Sequence, residues 1–214
     1  MEVRGPETRG APAVPKVRAA LEYAGECHRD QVRGVDGAPF ITHLWEVASL
    51  LYAAGAAHHV IAAGFLHDVI EKTPATVFDL RRRFGTPIAT LVLAVSEDAD
   101  IRGFTERKGA LRRRVGDAGD EALMLFAADK VSKTRELRLE VGRLSRRARA
   151  DRKRKLAHYE RCLALLEERL ADSPLVDQLS IELTRVRQGR RGLSGQRFGG
   201  WAAPLGRPGP LPQS

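Results

Sequence analysis

Imidazole and carboxylate side chains are spaced through the first two thirds of this 214-residue chain in an order that suits metal chemistry. His43 is followed after 24 residues by the dipeptide His67-Asp68, then by Glu71, and Asp129 comes 61 residues after Asp68. Neutral imidazole and carboxylate are the donors accepted by a divalent ion of intermediate hardness. Two histidines and two aspartates neutralise a doubly charged ion and leave positions for water. Such an ion acidifies its bound water and takes up charge on phosphoryl oxygens. His67 and Glu71, four apart on an expected helix, share one face. Each piece alone has a plainer reading, since a lone histidine beside an apolar helix is more often a satisfied core residue.

The elements that must position these groups all read as helices. Val17, Leu21 and Ala24 lie on one face of a first helix, and Leu44, Val47, Leu50 and Leu51 on one face of a second. Val60, Ala63, Gly64, Leu66 and Ile70 do the same for a third, which carries His67 and Asp68. Further helices are expected over Thr76–Phe84, Pro87–Val95, Glu106–Val115, Glu121–Val141, Arg152–Leu170 and Leu175–Val186. Gly85 stops the first of these, and Pro87 suits the start of the next. Alternating β-branched strand patterns are absent, so the class is all-α. Residues 1–13 read as a flexible arm, 14–187 as one domain, and 188–214, rich in Gly, Pro and Arg, as a disordered tail.

Composition narrows the function classes. A hydrophobic fraction of 43% suits a globular domain. No stretch approaches the apolar length of a membrane span, and the N-terminus lacks a secretory signal. Cys27 and Cys162 are too few for a disulfide scaffold or a cysteine zinc site, which fits a cytoplasmic protein. The net charge of +9 is uneven: residues 135–155 carry +7, residues 183–214 carry +6, and the remainder carries −4. A basic stretch of this kind suits a polyphosphate or a nucleic acid. No nucleic-acid motif accompanies it, so nucleic acid is the last of the readings.

Taken together, HRDQVR, GAPFITH, FLHDVIEKT, FGTPIATLV, ERK and AADK resemble the hydrolase domain of the RelA/SpoT-type alarmone enzymes. These are HD-domain metal phosphohydrolases, and the small stand-alone alarmone hydrolases are nearest in size. The resemblance covers about residues 17–187 and implies an HD-domain bundle of about eight to ten helices. It implies that His43, His67, Asp68 and Asp129 hold one Mn²⁺ and that Glu71 acts on the attacking water. It places Arg33 over the guanine or phosphates, and Arg154 and His158 among further substrate contacts. The reaction implied is removal of the 3′-pyrophosphate of ppGpp or pppGpp, leaving GDP or GTP. The partner is thus a guanine nucleotide polyphosphate, and oligomeric state is left open.

Two positions depart in charge from that family's pattern. The family reads His-Asp-x-x-Glu-Asp, whereas HDVIEK puts Lys72 at the second acid; AADKVSK puts Lys133 where the family has Asn. Together they add three positive charges. Lys72, four residues after Asp68, can compete with a metal for that carboxylate or bind a substrate phosphate. The alternatives are therefore a nucleotide-binding regulatory protein with an impaired site, or a hydrolase for another nucleotide. Phe40 replaces the family's Tyr. His58-His59 reads as capping or surface, His28 as support for the Arg33 loop, Trp45, Cys27 and Cys162 as packing, and Glu106-Arg107-Lys108 as a charged helix start.

Overall fold

Apolar residues three and four apart give one buried stripe per helix, and the stripes close on each other around a single core. The computed structural model describes residues 13–140 and 145–188. Within them run α1 (Ala13–Cys27), α2 (Ile41–Ala53), α3 (His58–Leu66), α4 (Val69–Lys72), α5 (Val77–Phe84), α6 (Thr86–Val95), α7 (Phe104–Asp117), α8 (Asp120–Leu139), α9 (Arg146–Arg169) and α10 (Pro174–Gln188). Among the described residues the only β pairing is an isolated bridge between Val32 and Pro39. The all-α expectation holds. The expected arm and tail, and Trp201, lie outside the described residues, except that Ala13 opens α1 and Gln188 closes α10.

The middle of the core is α3, whose residues Val60–Leu66 are all buried. It packs against α1, α2, α6 and α8. Twelve of the twenty residues of α8 are buried, and α8 in turn supports α9 and α10. Gly85, at φ 89°, makes the corner between α5 and α6, a conformation that a side chain disfavours. Thr76 and Asp79 close a reciprocal cap on α5: Asp79 N–H donates to Thr76 Oγ1 at 3.2 Å, and Thr76 N–H to Asp79 Oδ2 at 3.0 Å.

Three expectations need correction. The expected third helix is two helices: α3 ends at Leu66, a turn carries His67 and Asp68, and α4 starts at Val69. His67 Nδ1 bonds the Gly64 carbonyl at 2.8 Å, the acceptor that a continuing helix would offer to the Asp68 N–H. The turn lets two consecutive side chains face one centre; in an unbroken helix they would diverge. Trp45 is 49% exposed and stands edge-on to Phe65 at the rim of the core. The helix expected from Arg152 starts six residues earlier, because Ser145 caps it by accepting the Ala148 N–H at 3.1 Å.

Helices α2 and α3 meet at Gly64. A Cβ there would lie 2.7 Å from Leu51 Cδ1 and 3.5 Å from Ala48 Cα. Leu51 is fully buried and has little room to yield. Gly64→Val is expected to destabilise the fold by about 1–3 kcal/mol through overpacking, measurable by urea denaturation. The same substitution moves the carbonyl that orients His67.

Candidate metal centre

Buried polar residues in a helical core mark its chemistry, and six of them gather in one place: His43, His67, Asp68, Asp129, Lys130 and Ser132. His43 projects from α2, Asp129 from α8, and His67 and Asp68 from the turn between α3 and α4. His43 Nε2 and His67 Nε2 are 3.3 Å apart. Asp129 Oδ1 is 3.4 Å from each of them. Asp68 Oδ2 is 3.7 Å from His43 Nε2 and 3.6 Å from His67 Nε2. Donor atoms sharing one ion at about 2.1 Å show separations of this size. Among the described residues, His43, His67 and Asp129 offer ligand atoms that all lie within 4.8 Å of one another.

The partners of the outer nitrogens fix the direction of the lone pairs. The His67 Nδ1–H donates to the Gly64 carbonyl, leaving Nε2 as an acceptor. Ser132 Oγ donates to Glu46 Oε2 at 2.6 Å and therefore accepts from the His43 Nδ1–H at 2.9 Å. His43 Nε2 is thus also free to ligate. Asp68 Oδ2 and Asp129 Oδ1 are buried and make no well-aligned hydrogen bond, though Lys133 Nζ approaches Asp129 Oδ1 at 3.1 Å and Lys72 Nζ approaches Asp68 Oδ2 at 3.8 Å. Two imidazole nitrogens with two carboxylates turned toward them fit a shared cation. Glu46 is itself held by Arg135 at 2.7 Å, and Arg135 reaches buried Glu182 at 3.3 Å, so α8 and α10 brace the Ser132 relay. Burial opposes a charge on His43, yet Asp129 and Glu136 raise its proton affinity above the ordinary. An ion at Nε2 must displace that proton, so its affinity grows with pH.

Lysines surround the carboxylates. Lys133 Nζ is 3.1 Å from Asp129 Oδ1 and 3.8 Å from Asp68 Oδ1. Lys72 Nζ is 3.8 Å from Asp68 Oδ2 and sits over the Phe40 ring. Lys130, buried against Phe126, pairs with Asp129 Oδ2. Burial works to raise the Asp68 and Asp129 carboxyls, but these ammoniums and the two imidazoles hold both far below the usual range.

The remaining expected site residues are placed as follows. Glu71 is exposed on α4, and its carboxylate accepts the Glu97 N–H at the end of α6. It stands near enough to Lys133 to help hold that ammonium's proton. The Arg33 guanidinium pairs with Asp36 and lies 3.8 Å from Glu136. The Arg154 guanidinium is over the Phe104 ring and pairs with Asp151. His158 is buried, and Arg112 Nη1 donates to its Nδ1 at 2.9 Å. His28 bonds Gln31 Oε1, and Gln31 Nε2 donates to the Lys72 carbonyl, which ties the HRDQVR loop to α4. His59 leaves the centre for Glu121, 2.9 Å away on the surface. Sequence reasoning missed Ser132, Glu46, Lys130 and Glu97; Glu97 pairs with both Arg107 and Lys108. The ERK segment thus ties α7 to Glu97, just after α6, beyond its part as a helix start.

His158 gives a pH prediction. Burial, helped by Lys130, Lys108 and Arg112, pushes its imidazole down to about 2. As pH falls below about 6.5 the unfolded chain takes up a proton that the fold refuses, so stability drops. Between pH 7 and pH 5 the expected loss is about 2 kcal/mol. In His158→Asn that part of the slope should vanish in urea titrations at the two pH values.

The sequence profile of the HD domain matches residues 20–140, more than half of the chain. The chain belongs to the HD-domain family. An HD domain implies a divalent metal, and the centre described above has the donors for one. This HD domain is 38% identical over 97 residues to the bifunctional (p)ppGpp synthase/hydrolase SpoT of Escherichia coli, which is 45% of this chain but only 14% of that protein. It is 29% identical over 127 residues to the guanosine-3′,5′-bis(diphosphate) 3′-pyrophosphohydrolase MESH1 of Drosophila melanogaster, 58% of this chain and 70% of that one. The solved structure of a metazoan ortholog of SpoT that hydrolyzes ppGpp matches with a TM-score of 0.68 at 22% identity, over 88% of this chain and 99% of that chain. That likeness shows the fold. No described helix is long and apolar enough to cross a membrane.

Proposed function

We propose that this HD domain is a cytoplasmic, metal-dependent phosphohydrolase that removes the 3′-pyrophosphate of ppGpp or pppGpp. The observation that carries the proposal is the convergence of His43 Nε2, His67 Nε2 and Asp129 Oδ1 at 3.3–3.4 Å, with Asp68 Oδ2 3.6–3.7 Å from both imidazoles. The relatives' activities supply the substrate class. Two imidazoles and two carboxylates suit Mn²⁺. Such an ion supplies Lewis acidity, acidifying water and drawing charge from phosphoryl oxygens. Around it, Glu71 takes a proton from the attacking water, held in place by the Glu97 N–H. Lys72, Lys133 and Lys108 set positive charge where a polyphosphate develops negative charge, the main requirement of phosphoryl transfer. Arg154 over Phe104 offers a further contact on α9, and Arg33, steadied by Asp36, another. Neutral His158 positions Arg112.

A second reading has its own observation. The ammoniums of Lys133 and Lys72 sit 3.1–3.8 Å from the carboxylates, which suits a nucleotide-binding regulatory protein with little turnover. Incubation of the protein with Mn²⁺ and ppGpp separates the two. The hydrolase yields pyrophosphate and GDP. Binding of ppGpp without product, with product appearing in Lys72→Asp, would favour the regulatory reading.

A further inference from the structure

The lysines on the metal-facing carboxylates have a consequence for how the centre fills. Asp129 has two oxygens with separate neighbours: Oδ2 pairs with Lys130, and Oδ1 faces the two imidazoles. Lys133 Nζ lies 3.1 Å from that second oxygen and 3.8 Å from Asp68 Oδ1, bridging the two carboxylates from α8. Lys133 is part-exposed, with 26% of its side chain accessible, so its stem has room to move. Lys130, at 4%, has none. Lys72, at 35%, approaches only Asp68.

We infer that the Lys133 ammonium is a tethered competitor for the metal position: it neutralises Asp68 and Asp129 in the metal-free protein, and an incoming divalent ion displaces it toward the open side of the centre, where it meets substrate phosphate. This rests on the metal reading of the site. The physical ground is that a mobile monocation and a divalent ion cannot both draw on the same inward-facing oxygens at full strength. The lysine therefore lowers metal affinity by the free energy of its own pairing, and by linkage the ion lowers the lysine's hold on the carboxylates by the same factor. The centre is thus stabilised without metal, and its phosphate-binding charge is released only when metal is present.

The test is a Mn²⁺ titration of the full chain, read by calorimetry and by loss of the free-ion EPR signal, for wild type, Lys133→Met, Lys133→Arg and Lys72→Met. Lys133→Met is expected to bind one Mn²⁺ about 10–100-fold more tightly than wild type, the span of ordinary coupling energies. Lys133→Arg, which keeps the charge, should stay near wild type, and Lys72→Met should gain less than Lys133→Met. Melting without metal gives a second readout: Lys133→Met should melt below wild type, and saturating Mn²⁺ should close most of that gap. If Lys133→Met does not fold, Lys133→Gln carries the same expectation. Equal or weaker Mn²⁺ affinity in the uncharged variants overturns the competition while leaving the metal reading intact. No Mn²⁺ binding by any variant overturns both.

Discussion

His67→Ala is expected to remove Mn²⁺ binding and, with it, all hydrolysis of ppGpp. The ring contributes Nε2 to the convergence, at 3.3 Å from His43 Nε2 and 3.4 Å from Asp129 Oδ1. It also anchors the turn through its Nδ1–H to the Gly64 carbonyl. Loss of a group that merely orients a ligand typically costs about 10–100-fold in metal affinity. Removing the ligand itself, along with the bond that shapes the turn, should exceed that. The fold should survive, because the apolar face of α3 remains packed against α1, α2, α6 and α8. Retained circular dichroism with no calorimetric Mn²⁺ isotherm is the expected pair of results. An unchanged isotherm would remove His67 from the ligand set.

Glu71→Gln should separate proton transfer from metal binding. The glutamine keeps a carbonyl oxygen to accept the Glu97 N–H, so α4 stays tied to the end of α6. What it loses is the capacity to take a proton. Losing a positioned general base costs about 10²–10⁴ in rate. The expected outcome is a fall of that size in the turnover of ppGpp, with Mn²⁺ affinity close to wild type. Turnover that survives Glu71→Gln would mean that another group takes the proton. A simultaneous loss of metal would mean that Glu71 acts on the ligands themselves.

The order of His43, His67-Asp68 and Asp129 was readable because metal donors are chemically rare in apolar helices. Their burial followed from the stripes on either side of them. The helix break at His67 was not readable: residues 60–70 keep a helical apolar period through the turn, and the cause is a side-chain bond to Gly64 that periodicity does not encode. Ser132 and Glu46 were missed for another reason. They lie 86 residues apart, and each is an ordinary polar residue on an ordinary helix until α2 and α8 pack together. Arg33 shows the limit of resemblance as a guide to geometry. Its guanidinium is engaged by Asp36 and lies beside Glu136, a local balance of charge that a matched motif does not reveal. Lys133 stands out in the sequence as a departure from the family's Asn, and its place one helical turn after Asp129 on α8 brings the two side chains together.

The central proposition is that one divalent ion is held by two imidazoles and two aspartates. Pulsed EPR of Mn²⁺ bound to the full chain addresses it directly, because ¹⁴N modulation counts coordinated histidines. One Mn²⁺ per chain with couplings from two nitrogens, reduced to one nitrogen in His43→Ala, is the expected result. A bound ion without nitrogen coupling, or no bound ion at saturating Mn²⁺, would contradict it.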